Sequence, residues 1–308
     1  MSNLILLFLC LVLGIALRRT KLFPENGHIA LNAFVINISL SALSLYYIPK
    51  ISLNSQVLFP VLVPWLNISL AILFFITLGR LFDWSKTIVG ALILCAGFGN
   101  TSFVGIPVIQ ALYGEGGLQT VMLVDQPGSF VALSTVGIIV ANFYSGEKIS
   151  AFEIIKKILK FPPFIAFLIA VFINIFEISI PLSLDEVLAK LGATTVPLAL
   201  VSVGSQLRWQ KIDRHYRPLL FGLLFKLILF PACILVLYFL ILNQRGEMIE
   251  IAFFEAAMGP MVTAAIIASS HQLEPKLCNL MLGIGIPLSL CTLTIWYFVL
   301  KMLGLIMM

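Results

Sequence analysis

Gly97-Phe-Gly-Asn-Thr-Ser-Phe-Val-Gly-Ile-Pro107 lies in the middle of an apolar run from about Thr87 to Leu112. Three glycines and a proline weaken any helix there, because glycine costs backbone entropy and proline removes a hydrogen-bond donor. Asn100, Thr101 and Ser102 place polar side chains at the depth where a bilayer is driest. A broken helix is tolerated at that depth only where its freed backbone groups face protein, water or a ligand. Two readings fit the stretch taken alone. One is an interrupted helix that lines a site; the other is a kinked packing helix whose small residues admit a close neighbour.

Composition narrows the class. Of the 308 residues, 60% are hydrophobic and 11% are charged, where a soluble domain carries about 25% charged residues. The chain therefore reads as an all-α integral membrane protein. Its net charge of +5 is explained by where the basic residues fall along the chain, so no nucleic-acid partner is implied. Cys10, Cys95, Cys233, Cys278 and Cys291 sit inside apolar runs without a CxxC pair, and read as small core hydrophobes. His28, His215 and His271 share no metal-ligand spacing. With no nucleophile–base pair either, the expectation is no enzyme, no catalytic residue, no cofactor and no metal.

Apolar runs of spanning length, about 20 residues, cover Met1–Leu17 and roughly 29–48, 58–80, 87–112, 118–143, 162–180, 188–207, 216–241, 250–270 and 277–304. That predicts ten membrane helices. Arg18, Arg19 and Lys21 follow the first run, whereas a cleaved signal carries its charges before it. Placing the N-terminus outside gives the inner side fourteen of the nineteen basic residues, Arg18, Arg19, Lys21, Arg80, Lys86, Lys148, Lys156, Lys157, Lys160, Arg208, Lys211, Arg214, Arg217 and Lys276. The outer side receives Lys50, Lys190, Arg245 and Lys301, and Lys226 falls inside a helix. The positive-inside rule favours this orientation, with both termini outside.

The longest polar connection, 144–161, follows the fifth run. It divides the chain into a first five-helix repeat over 1–143, a cytoplasmic linker, and a second repeat over 162–308. Five helices per half make the repeats inverted. At a lag of 160 residues Gly99 falls on Gly259 and Pro127 on Pro287. The ninth run carries Gly259-Pro260 near its middle, so the fourth and ninth helices are both interrupted. Paired interruptions of this kind point to a transporter's substrate site. The prediction is a crossing of two broken helices.

Three charges stand inside apolar runs: Asp125, Lys226 and Glu255. A carboxylate in a bilayer costs about 2.5–3.5 kcal/mol on insertion scales, so Asp125 should face a cavity and have a partner. It reads as a proton or cation carrier, or as a structural acid held by a donor. Lys226 could meet an anionic substrate, pair with a carboxylate, or snorkel. Glu255, nearer the outer end of its run, reads as a vestibule or structural acid. Asn100 and Thr101 suit a carboxylate ligand, because half-helix N-termini present unpaired N–H groups and partial positive charge. Asn37, Ser41 and Ser44 share one face of the second helix, which interhelical packing explains equally well.

The chain resembles the auxin efflux carrier family over nearly its whole length. The residues that carry the resemblance are Leu17-Arg-Arg-Thr-Lys-Leu-Phe with Leu31-Asn-Ala-Phe-Val, then GNTSFVGIPVIQALYG over 99–114. Gln126, Val201-Ser-Val-Gly204, Phe225-Lys226 with Pro231, and Ala256-Ala-Met-Gly-Pro260 complete them. The resemblance implies a five-plus-five inverted-repeat fold related to elevator-type carriers, a crossover site, secondary transport of organic anions and, in plant members, homodimers. It also implies Ser44, Asn100, Gln126 and Pro260 as site positions. Gly99 stands where plant members have a crossover proline and Ser41 where the second helix usually has one, and the central loop is short. These departures favour a bacterial-type carrier.

The expectation is thus a secondary transporter of a mono- or dicarboxylate in the bacterial inner membrane, linked to a proton or sodium ion. Its substrate site would use Ser44, Gly99, Asn100, Thr101, Gln126, Gly259, Pro260 and Thr263, with Asp125, Lys226 and Glu255 as coupling charges. The rival is a membrane receptor that binds a small carboxylate without moving it.

Overall fold

A computed structural model of the chain describes residues 2–20, 23–24, 26–52, 54–146, 152, 155–156, 159–207 and 215–306. Among these residues the protein is entirely helical. We number the helices α1 (Ser2–Leu17), α2 (Gly27–Lys50), α3 (Ser55–Leu81), α4 (Lys86–Gly97), α5 (Thr101–Tyr113) and α6 (Leu118–Ser145). The second half gives α7 (Pro162–Ile175), α8 (Leu182–Gln206), α9 (Tyr216–Ile241), α10 (Glu247–Ala256), α11 (Val262–Ser270) and α12 (Pro275–Met302). Six of them, α2, α3, α6, α8, α9 and α12, are long and apolar enough to cross a membrane. Their outward faces suit a bilayer, with large apolar side chains such as Phe143 and Phe298 left exposed.

The sequence-predicted bounds shift at two places. The sixth run, expected to reach 180, stops at Ile175, with Glu177 left-handed at φ +49° just beyond it. Its neighbour starts earlier than expected, at Leu182, with Pro181 as its N-cap residue. Half of the connection expected over 144–161 lies outside the described residues, as do Lys21, Lys148, Lys157, Arg208, Lys211 and Arg214 of the charge argument.

Side-chain contacts gather the helices into two groups. In the first, α1, α2, α7 and α8 hold together. Gly14 and Gly204 let α1 and α8 touch backbone to backbone; a Cβ on either would strike the other helix's main chain. Asn174 of α7 reaches the last turn of α2 and donates to the carbonyls of Ile48, Pro49 and Ile51 at 3.0, 2.9 and 2.8 Å. These carbonyls lie at and just past the end of α2, where the Ile48 carbonyl also accepts the Ile51 amide at 3.2 Å, so the Asn174 amide caps the helix end. Lys50 pairs with Asp185 at 2.9 Å.

The second group contains α3–α6 and α9–α12. Tyr238 of α9 donates to the Phe59 carbonyl of α3 at 2.8 Å, and Phe225 packs on Phe74 and Phe75. Trp296 of α12 donates to the Leu227 carbonyl at 2.9 Å. At one end His215 meets Glu274 at 3.0 Å, and Thr87 donates to the same carboxylate at 3.3 Å. These bonds tie the starts of α4, α9 and α12 together. The interrupted pairs α4/α5 and α10/α11 lie inside this group.

Candidate functional site

The chain leaves helical geometry between Gly97 and Thr101 and again between Ala256 and Val262, and the two openings meet. Gly99 and Pro260 face each other as an isolated antiparallel bridge. The Asn100 amide donates to the Gly259 carbonyl at 2.8 Å, and the Met261 amide to the Phe98 carbonyl at 3.2 Å. Main-chain groups freed by one break are thus satisfied by the other, as an apolar surrounding requires. Of the two prolines, Pro260 lies within a break. Pro107 instead sits inside α5, where the π-helical turn Thr101–Gly105 passes into the regular α-helical turns from Ile106.

Asn100 caps α5. Its Oδ1 accepts the Phe103 amide at 3.2 Å, and its Nδ2 is buried without a hydrogen-bond partner. Thr101 donates to Asp125 Oδ1 at 2.6 Å, and Ser102 donates to the same oxygen. The Gln126 Nε2 donates to Asp125 Oδ2 at 2.7 Å, which leaves Gln126 Oε1 buried and unpaired. Both amide orientations follow from their partners: turning Asn100 would set an N–H against an N–H, and turning Gln126 would set an oxygen against a carboxylate. Asp125 therefore anchors three donors from two helices. Its carboxyl group lies beside the start of α5, where the helix dipole favours the anionic form.

A cavity of about 130 Å³ opens at this point. Its polar wall is Asn100, Ser102, Asp125, Gln126, Ser134 and Thr263, and its apolar wall includes Ile36 and Leu40 of α2, Phe130, Met261 and Val262. Phe161 closes one side, its ring stacked on Phe130 at 3.7 Å between centroids. A larger cavity of about 310 Å³ lies between α1, α5 and α12. Leu7, Phe8, Leu112, Leu293 and Phe298 line it with the hydroxyl-bearing Thr294 and Tyr297, and among the described residues that line it none is charged, so its wall is mainly apolar.

The other expected residues fall around this centre. Gly99, Gly259 and Pro260 form the backbone crossing itself, and none of them lines the cavity. Thr101 is turned to Asp125. Ser44 returns its hydroxyl to the Leu40 carbonyl at 3.0 Å and lies 4.0 Å from Met122 Sδ, away from the cavity. Lys226 is fully buried behind the crossing, where its ammonium donates to the Ala256 carbonyl at 3.0 Å, in the last turn of α10. Glu255 is 1% exposed, and neither carboxylate oxygen has a hydrogen-bond partner. Its carboxylate lies over Gly105, where an added Cβ would come within 2.5 Å of both oxygens.

Sequence reasoning noted Ser102 as a polar residue but left it out of the site, and it did not reach the aromatic wall. Ser102 had a usable signal, since it follows Thr101 in the first turn of a half-helix and can join the same acceptor. Phe130 and Phe161 had none, because nothing local pairs one helix's aromatic residue with another 31 positions away.

Two comparisons bear on identity. An uncharacterized transporter of Methanothermobacter thermautotrophicus is 27% identical over 296 residues, covering 94% of each chain. One from Methanocaldococcus jannaschii is 26% identical over 306 residues, covering 97% of this chain and 98% of the relative. The family model described as "Membrane transport protein" matches residues 1–297. The chain belongs to that family of membrane transporters, the family of the auxin efflux carriers.

Proposed function

We propose that the protein is a secondary active transporter of a small organic acid, bound by its carboxylate where the two interrupted helix pairs cross. The observation that carries this reading is the Asn100 Nδ2, a buried donor without a partner, on the wall of the crossing cavity. Beside it α11 begins at Val262 with no side-chain cap, and an uncapped helix start attracts an anion. Coupling to a proton or sodium ion falls to the buried charges. Of Asp125, Lys226 and Glu255, Glu255 is the one whose oxygens have no donor to lose when a cation arrives.

The reading includes ten membrane crossings in two inverted repeats. Helix spacing supports it: Ser2 to Pro162, Gly27 to Leu182, Ser55 to Tyr216, Lys86 to Glu247, Thr101 to Val262 and Leu118 to Pro275 are separations of 155 to 161 residues. Each interrupted pair then makes one crossing, and five crossings per half invert the second half. The group α1, α2, α7 and α8 serves as the frame, and the group holding the site moves against it in an elevator-like alternating-access cycle. We place the protein in the cytoplasmic membrane with both termini outside, and with a homodimer as its assembly.

Counterflow in liposomes tests this. Vesicles loaded with an unlabelled acid should accumulate the same acid in labelled form, and Asn100→Ala should abolish the exchange. Binding without exchange would mark a receptor. Exchange untouched by Asn100→Ala would move the site elsewhere.

A further inference from the structure

The cavity wall asks for more than a carboxylate. Two residues on it each keep an unpaired amide atom, the donor Asn100 Nδ2 and the acceptor Gln126 Oε1; the two residues are 2% and 1% exposed. A buried acceptor left without a donor is costly, so a ligand that fills this cavity must bring both an acceptor and a donor. The charge on the wall says which donor. Among the described residues that line the cavity Asp125 is the one with a charge, and it is negative. Lys226 lies behind the crossing with its ammonium on the Ala256 carbonyl. The helix dipole at α5 already faces Asp125, which leaves the start of α11 for a ligand carboxylate. A net anion would add a second negative charge to a small dry space, and like charges there repel strongly. A zwitterion adds none.

We infer that the solute is a small zwitterionic amino acid. Its carboxylate accepts from Asn100 Nδ2 beside the start of α11, and its ammonium donates to Gln126 Oε1 next to Asp125. The cavity of about 130 Å³ sets the size, since an apolar cavity of about 150 Å³ takes a benzene ring. Alanine, with about as many heavy atoms as benzene, fits by that measure, and an indole-bearing acid does not. This inference rests on the transporter reading and names its substrate class.

Alanine, lactate and propionate share a three-carbon frame and differ in the group beside the carboxylate: ammonium, hydroxyl and hydrogen. Calorimetric titration of the purified full-length protein should rank alanine first, about tenfold or more tighter than lactate, with propionate weakest. Gln126→Leu should erase the gap between alanine and propionate. Asp125→Asn is a second route for the case in which that variant fails to fold. It presents an amide N–H to Gln126 Nε2, turns the Gln126 amide over, and so replaces the acceptor in the cavity by a donor. Alanine should lose its rank there too.

Lactate or propionate binding as tightly as alanine overturns the inference. So does an alanine preference that survives both variants. If none of the three binds while a larger acid still shows counterflow, the amino-acid assignment falls and the transporter reading stands. If nothing binds and nothing exchanges, both fall.

Discussion

At the break between α4 and α5 the chain places Asn100, Thr101 and Ser102, and all three side chains bond to the main chain or to Asp125. At the break between α10 and α11 it places Ala257, Met258, Gly259, Pro260 and Met261, and no side chain caps the helix that follows. Backbone geometry is shared, since each break satisfies the other through the Asn100 and Met261 amides. Side-chain chemistry is not. The first break and α6 carry five of the six polar residues on the cavity wall, and α11 adds Thr263. The second break is held from behind, by Lys226 on the Ala256 carbonyl. The hydrogen bonds that join the two breaks are therefore all main-chain ones, and most of the polar side chains at the cavity come from the first half.

The sharpest way to break that comparison is Asp125→Leu. It removes the acceptor of Thr101, Ser102 and Gln126 together, and solute affinity should fall by about 100-fold or more, read by calorimetric titration. Thr263→Val, on the wall contributed by the other break, should change affinity by less than about fivefold. Equal losses would mean that both breaks hold the ligand.

Lys226→Met tests the other half of the contrast. It leaves the Ala256 carbonyl without its donor, inside a core where unsatisfied groups cost about 1–3 kcal/mol. The melting temperature should drop, while the affinity of the folded protein stays within about threefold. An unchanged melting temperature with lost affinity would bring Lys226 into the site.

How much of this was legible in the residues depends on the range of the interaction. Gly97–Pro107 and Gly259-Pro260 announced two broken helices because glycine and proline act on their own backbone. Asp125 announced a partner, because a carboxylate in an apolar run must have one. That the partners are Thr101 and Ser102 depends on α5 and α6 packing side by side, which no local pattern encodes. Lys226 shows the limit most clearly. A buried ammonium in an apolar run fits a substrate ligand and a helix cap equally well, and only the position of α10 behind the crossing separates them. Gly105 looked like one more helix-weakening glycine, yet it is the space that the Glu255 carboxylate occupies.

That last contact gives a third prediction. Gly105→Ala should destabilise the protein by about 1–3 kcal/mol, because the new methyl overlaps the Glu255 carboxylate. Most of the loss should disappear in the Glu255→Ala background. A double-mutant cycle in chemical denaturation reads the coupling directly, and additive losses would mean that the clash is relieved elsewhere.

The smallest expected effect compares the two crossing glycines themselves. A Cβ on Gly259 would lie 2.8 Å from Ser289 Oγ and 3.2 Å from the Gly285 carbonyl. That hydroxyl is held by its own bond to the Ile286 carbonyl at 2.6 Å, so it has little freedom to withdraw. A Cβ on Gly99 would lie 3.2 Å from Lys226 Nζ, the tip of a flexible side chain, and 3.3 Å from the Glu255 carbonyl. Neither glycine has the positive φ that would strain an alanine. Gly259→Ala should therefore cost about 1–2 kcal/mol and Gly99→Ala less than about 1 kcal/mol, measured by denaturation in the same detergent. If Gly99→Ala proves the costlier, Lys226 is a rigid part of the crossing, and the half with the polar side chains is the one packed to closer tolerance.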